Sequence, residues 1–520
     1  ALRGLIVVVL AVSFTLLCVA HSRRVGRLVT APVYDDVVYF YQGALLLDAV
    51  QTDGLRGFCK FISERGLHSP HAILLAAASF AVLGWDNAAP YYGNGVLVAA
   101  YLAGIGWFFR RLSTGAWVAS LLLFLTPPMV TMAVVEFRPD IAWAMVTGFG
   151  VVLIVTSEEL FRRPRRAAVA GVLLGLSLLV KPSTFAMTCL LYSGAVLSRV
   201  AGAMGAGEWR RQSSQVAAGA AAFIVTVLVV AGPYGAGFGR QTWHYFMLNS
   251  FGDNQAVWAF KGNRSDALLY YITGDGGRSN VAKSGKFIAL LGLASLIYLG
   301  VKKPKLRWRL AVLPGLCACA LVINTAAPMK SVYLGGGIYG VLFFGCFYLI
   351  ASAYEILWSH DGRGRDRWRA LALALVAVIA LEKYRWPLGS DFTRNKARWE
   401  NFRAADAFMR SLLEQHQNSP PRRIYFLQSG PIVGGNAGLW CLAHQCETKV
   451  TMGGWVRSEE QFRRVYPSQD WVVLQEPGML GGSAHLPAER LAPRYLEILQ
   501  ADPDYGVLAE FEIGRASCRE

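Results

Sequence analysis

The run Tyr34-Asp35-Asp36-Val37-Val38-Tyr39 sets two adjacent carboxylates about fifteen residues past the first hydrophobic segment. A carboxylate can take the proton from a weak nucleophile such as a hydroxyl, and its oxygens can also hold a divalent cation. Three more polar sites interrupt apolar sequence. Arg138-Pro139-Asp140 opens one apolar stretch, with the proline suited to a helix start. Lys181 breaks the stretch from Ala167 to Ser198, and Lys330 precedes Tyr333 by three residues. Ionisable groups at membrane depth are costly to keep, which makes them candidates for function. Cations in such places can stabilise an anionic leaving group. Each site also has a structural reading. Arg138 and Asp140 can pair with each other, Lys181 can be a hairpin end that snorkels to water, and loop acids are commonly solvated.

Composition defines the elements that must position these residues. The chain has 520 residues, of which 54% are hydrophobic and 16% charged, and a mean hydropathy of +0.36. A soluble chain is about a quarter charged. Uncharged stretches at 87–109, 112–135, 212–239 and 331–354 reach or exceed the roughly 20 residues that cross a bilayer. Spans are expected near 4–21, 91–109, 114–130, 140–156, 167–180, 182–198, 214–233, 285–301, 310–327, 334–353 and 368–386. The chain is thus a polytopic α-helical membrane protein of about eleven transmembrane helices. Leu5 to Ala20 reads as a retained first span rather than a cleaved signal, and the lack of an initial Met predicts that the start is missing.

The net charge of +17 reflects topology rather than nucleic-acid binding. Connections after alternate spans carry eighteen basic residues, among them Arg110, Arg162, Arg199, Lys302 and Arg363, against Arg138, Lys181 and Lys330 in the opposite short turns. The basic side is cytoplasmic. Loops 22–90 and 234–284, with the acid pair, therefore face outward, to the periplasm or cell exterior of an inner (plasma) membrane protein. His71 to Gly84 is apolar but too short to span, and predicts a helix at the outer interface. The span at 368–386 needs Trp368 and Trp386 as interfacial anchors. Loop 234–284 is dense in aromatics, including Trp243, Tyr245, Phe246 and Trp258, which suits either the lipid interface or sugar stacking.

Texture changes after about residue 390. Residues 395–511 are mixed and turn-rich, with helical periodicity over Arg398 to Gln415 and strands expected at Ile424–Leu427, Trp471–Leu474 and Val507–Phe511. A small soluble C-terminal α/β domain follows from this alternation. If 368–386 crosses, it lies on the periplasmic side, where Cys441 and Cys446 become a disulfide candidate. The tail 512–520 reads as a non-native, adapter-derived sequence.

In order and on one membrane face, these sites resemble the membrane-embedded C-type glycosyltransferases, the superfamily of protein O-mannosyltransferases and lipid A aminoarabinose transferases. The resemblance covers roughly residues 1–390. It rests on Asp35, Asp36 and Tyr39 in the first outer loop; on His68-Ser69-Pro70-His71; and on Arg138-Pro139-Asp140. The glycine-rich run Gly171-Val172-Leu173-Leu174-Gly175 leading to Lys181, and Lys330 with Tyr333, complete it. The family often has Asp-Glu where this chain has Asp35-Asp36, which leaves the division of labour between the acids open. Ser331 and Val332 separate Lys330 from Tyr333, where the family usually has Arg before Tyr.

The resemblance implies transfer of a sugar from a polyprenyl-phosphate donor to an acceptor hydroxyl on an envelope lipid, glycan or protein, with inversion. It implies catalytic roles for Asp35 and Asp36. It also implies substrate contacts from Tyr39, His71, Arg138, Asp140, Lys181, Lys330 and Tyr333, and a divalent cation held by Asp36 or Asp140 as an option. The alternative is a transporter or flippase of a lipid-linked or anionic solute, whose polar residues would gather at the midplane within repeated halves. No repeat is visible, and no Walker or dinucleotide motif occurs. His68 and His71 have metal-like spacing but lack a third ligand for zinc.

Overall fold

The computed structural model describes residues 2–30, 32, 35–65, 69–157, 159–205, 213–252, 254–304, 307–358, 396–418, 421–427, 434–446, 448–453, 456–474 and 487–510. The chain divides into two compact units, one of residues 1–18, 62–72 and 94–387 and the other of residues 19–61, 73–93 and 388–520.

The first unit is helical among its described residues. Across the chain, six described helices are long and apolar enough to cross a membrane, or seven if a bent pair counts as one span. They are Leu2–Val25, Pro139–Thr156, Pro182–Ala201, Ser213–Ser250, Ala282–Lys302 and Gly336–Ile356. Other expected spans coincide with shorter helices, such as Gly95–Phe108 of 14 residues and Pro164–Val180 of 17. The expected count of eleven is not reached by helices of that length and apolarity among the described residues, and the expected span at 368–386 lies outside them. One expected span is broken. Thr114–Phe124 ends before Pro127-Pro128, and Pro128–Val135 leaves at 72°, because proline removes a donor and restricts the residue before it. Another is longer than expected. Ser213–Ser250 runs through Pro233 for 38 residues, about 57 Å at 1.5 Å per residue, so the first part of the expected loop 234–284 is helix.

Small residues set how closely these helices pack. A Cβ at Gly171 would lie 2.1 Å from Thr226 Oγ1, and one at Gly175 would lie 2.7 Å from Val230 Cβ. The glycine-rich helix Pro164–Val180 thus presses against Ser213–Ser250, the close approach that small residues four apart permit. Thr226 Oγ1 donates to the Ala168 carbonyl at 3.2 Å across this contact. A Cβ at Gly340 would meet the Ala144 carbonyl oxygen at 2.1 Å. The helix Gly336–Trp358 accordingly lies against Pro139–Thr156.

In the second unit, three parallel strands form a sheet in the order β2-β1-β3, with β1 Arg423–Phe426, β2 Lys449–Met452 and β3 Trp471–Val473. Parallel neighbours need crossover connections, which Gly434–Ala443 and Glu459–Val465 provide. Strand β1 alternates faces. Ile424 and Phe426 join Met409, Leu413 and Trp440 in one core, while Tyr425 and Leu427 join Phe462, Tyr495 and Ile498 in the other. The strand expected at Val507–Phe511 is replaced by β2. Residues 507–510 are irregular, with Val507 and Leu508 more than half exposed, so they have no apolar face to bury. This unit also holds most of the expected outer loop 22–90. Asn436 Nδ2 donates to the Pro32 carbonyl at 2.9 Å, and Gly435 and Gly438 leave room for Val37 and Tyr41, which a Cβ would meet at 2.6 and 2.5 Å.

Candidate functional site

The acid pair opens the helix Asp35–Arg65, where carboxylates in the first turn suit the helix dipole. The two acids differ sharply in environment. Asp35 is exposed, and Asp36 is completely buried. Arg27, itself buried, forms an ion pair with Asp36 Oδ2 at 2.9 Å, and Tyr91 Oη donates to the same oxygen at 2.9 Å. Phe40 packs edge-on against Tyr91, which fixes the phenol from the other side. Asp36 is thus anchored by a guanidinium, a phenol and its helix, and the exposed Asp35 precedes it by one residue. Tyr39 is 4% accessible and belongs to the packed face of the helix. The helix is interrupted at Gly54, whose φ of 59° is a left-handed conformation that glycine adopts without strain.

The first unit holds the other motifs. Lys181 ends the helix Pro164–Val180, and its ammonium pairs with the Asp140 carboxylate in the first turn of Pro139–Thr156. Arg138 lies over the Tyr333 ring, 4.5 Å from its centroid, a cation–π contact. These contacts join residues from three distant parts of the sequence. They also resolve the ambiguity at Arg138-Pro139-Asp140, since Asp140 pairs with Lys181. Gly336 completes the junction, because a Cβ there would lie 3.1 Å from the Asp140 carbonyl oxygen and from Ala144 Cβ. Ser69 Oγ donates to the Val180 carbonyl at 2.7 Å in a buried setting, which ties the Ser69-Pro70-His71 segment to the Lys181 turn.

Lys330 does something different. Its ammonium donates to the carbonyls of Asn324 at 3.0 Å, Thr325 at 2.8 Å and Ala327. It therefore caps the C-terminal end of Arg307–Ala326, where carbonyls lack helical partners. Burial lowers its pKa below the usual lysine range. Burial also lowers the His71 imidazole to about 4. His68 lies outside the described residues.

Two residues escaped sequence reasoning as site members, Arg27 and Tyr91, and only their contacts with Asp36 mark them. Among the described residues, no three His, Cys, Asp or Glu side chains converge as metal ligands. Asp36 and Asp140 instead face cationic side chains of the protein itself. Cys441 and Cys446 are free thiols joined through the chain, with Cys446 N donating to the Cys441 carbonyl at 2.8 Å. Burial pushes the Cys441 thiol up to about 12.

Solved structures supply the comparison. The chain is similar to ArnT from Cupriavidus metallidurans bound to undecaprenyl phosphate, with a TM-score of 0.50 and 14% identity over 89% of this chain and 88% of that one. It is similar to the apo form of the same protein with a TM-score of 0.51 and 13% identity over the same shares. The chain shares the fold of these two structures. No family model and no curated protein matches the sequence.

Proposed function

We propose that this chain transfers a sugar from a polyprenyl-phosphate-linked donor to an acceptor hydroxyl of a lipid, glycan or protein at the outer face of the plasma membrane. The observation that carries the reading is the contrast within the acid pair, where Asp36 is locked by Arg27 and Tyr91 and Asp35 is exposed beside it. A general base must be accessible and held in register with its substrate. The ArnT structure bound to undecaprenyl phosphate supports a lipid-phosphate donor.

In this reading, Asp35 takes the acceptor hydroxyl proton as the oxygen attacks the anomeric carbon. The carbon–oxygen bond to phosphate breaks, and the polyprenyl phosphate leaves with the electron pair. Attack opposite the leaving group inverts the anomeric centre. Lys181 and Arg138 stabilise the developing phosphate charge. Asp140 holds the Lys181 ammonium in place before the donor binds. Lys330, committed to carbonyls of a helix end, positions the Tyr333 turn rather than meeting the phosphate directly. Mass spectrometry of the cell envelope with and without the gene tests the reading. A lost glycan mass supports it, and an unchanged envelope glycan profile contradicts it.

A further inference from the structure

Within the second unit, two adjoining cavities share Asp86, Asn87 and Arg410. The larger, of about 400 Å³, is lined among others by Arg23, Arg403, Arg410, Asp86 and Asp406. Its charged lining is three arginines against two aspartates, so it favours an anion. Arg410 pairs with the Asp406 carboxylate at 2.9 Å, while the second pair is loose. Arg23 and Asp86 are 3.9 Å apart with both side chains more than half exposed, and exposed pairs of this kind contribute little.

The smaller cavity, of about 230 Å³, has aromatic walls. Trp85 stacks on Phe80 at 5.4 Å and remains 38% accessible, and Trp440 stacks on the His444 ring at 4.2 Å. His444 Nδ1 faces the Trp440 carbonyl at 2.8 Å. A carbonyl only accepts, so Nδ1 donates to it and Nε2 remains for a ligand. Asn436, 4% accessible and part of this wall, uses its Nδ2 on Pro32, while its Oδ1 has no hydrogen-bond partner among the described residues. Buried amide oxygens are normally satisfied.

Arginines select carboxylate or phosphate with paired donors. A flat aromatic wall suits the apolar face of a sugar ring, and Asn87, Asn436 and His444 suit its hydroxyls. Joined in one cleft, these features describe a single ligand chemistry. We infer that the cleft between Trp85, Arg403 and Trp440 binds an anionic glycan, with the charged substituent at the arginines and a sugar ring on the tryptophan side. The inference rests on the transferase reading for its purpose, which is to capture the acceptor.

The full chain in nanodiscs, without donor, is titrated with three probes at about 0.15 M salt, where long-range attraction is screened beyond about 8 Å. The probes are an oligogalacturonate, a phosphorylated oligosaccharide and a neutral oligosaccharide of equal length, read by tryptophan fluorescence and calorimetry. One or both anionic probes are expected to bind, and which one binds separates carboxylate from phosphate. Arg403→Gln and Trp85→Ala, each checked for an unchanged unfolding midpoint, are expected to weaken binding about tenfold, as loss of a charged hydrogen bond or a stacking wall does. Equal binding of the neutral probe, no binding of either anionic probe, or binding indifferent to both variants would overturn the inference. If Trp85→Ala unfolds, Trp85→Phe is used, and it is expected to keep binding. Binding without any transferase activity would leave the cleft standing and overturn the reaction, and transfer without binding would do the reverse.

Discussion

Arg27→Met isolates the anchor that holds the acid pair. The Asp36 side chain is fully buried, and that of Arg27 is 9% accessible. Removing one partner of a buried ion pair typically costs about 3–5 kcal/mol, because the other charge is left uncompensated. The expected local loss is therefore of that size. The perturbation is local, so hydrogen exchange at the amides of residues 37–40 is a better readout than global melting. At pH 7 their protection should fall by about two orders of magnitude in Arg27→Met. It should recover in the double variant Arg27→Met/Asp36→Asn, which keeps a partner for Tyr91 and removes the buried charge. Unchanged protection in the single variant, or no recovery in the double variant, would refute the assignment of Arg27 as the counter-charge.

Gly175→Leu should lower the unfolding midpoint by an amount equivalent to about 1–3 kcal/mol, since the added Cβ meets Val230 at 2.7 Å. Val230→Ala should restore much of it, and a Gly175→Leu protein as stable as the wild type would contradict the tight helix contact. Asp406 has its pKa raised by burial, only partly offset by the Arg410 guanidinium. The fold thus favours its protonated form, and that stability is present at acid pH and lost as pH rises through the folded pKa. Asp406→Asn should then unfold no earlier than the wild type at pH 7, with any advantage fading toward pH 4. An Asn variant less stable at pH 7 but equal in acid would reverse the sign. After reduction, a membrane-impermeant thiol reagent on intact spheroplasts should label Cys446, and single-cysteine variants identify the site. Labelling only after the membrane is breached would put residues 396–510 on the cytoplasmic side.

Much of the helical fold was legible because hydrophobic length and charge alternation are local signals. Pro139–Thr156 and Ala282–Lys302 fall where their apolar runs fall. What failed was continuity. The bend at Pro127-Pro128 divides an apolar run that composition cannot divide, and Pro233 interrupts a run that the structure keeps helical. In the sheet, Ile424–Leu427 announced itself through consecutive apolar residues. Lys449–Met452, with one buried residue and charged or polar neighbours, did not. The site shows the same divide. Asp35, Asp36, Arg138, Asp140, Lys181 and Tyr333 stand out as polar residues in apolar surroundings. Their partnerships do not, because Lys181 with Asp140 and Arg27 with Asp36 and Tyr91 are set by tertiary packing. Lys330 looked like its companions in sequence, and only the carbonyls around its ammonium mark it as a helix cap.

The central claim is that Asp35 is the base of a transfer reaction, and single-turnover transfer from a radiolabelled undecaprenyl-phosphate sugar tests it most directly. Purified wild-type protein and Asp35→Asn are compared in nanodiscs with an envelope extract as acceptor. The substitution keeps shape and removes the base, so label transfer should slow by about 10²–10⁴-fold with the protein still folded. Transfer by Asp35→Asn at the wild-type rate would contradict the account.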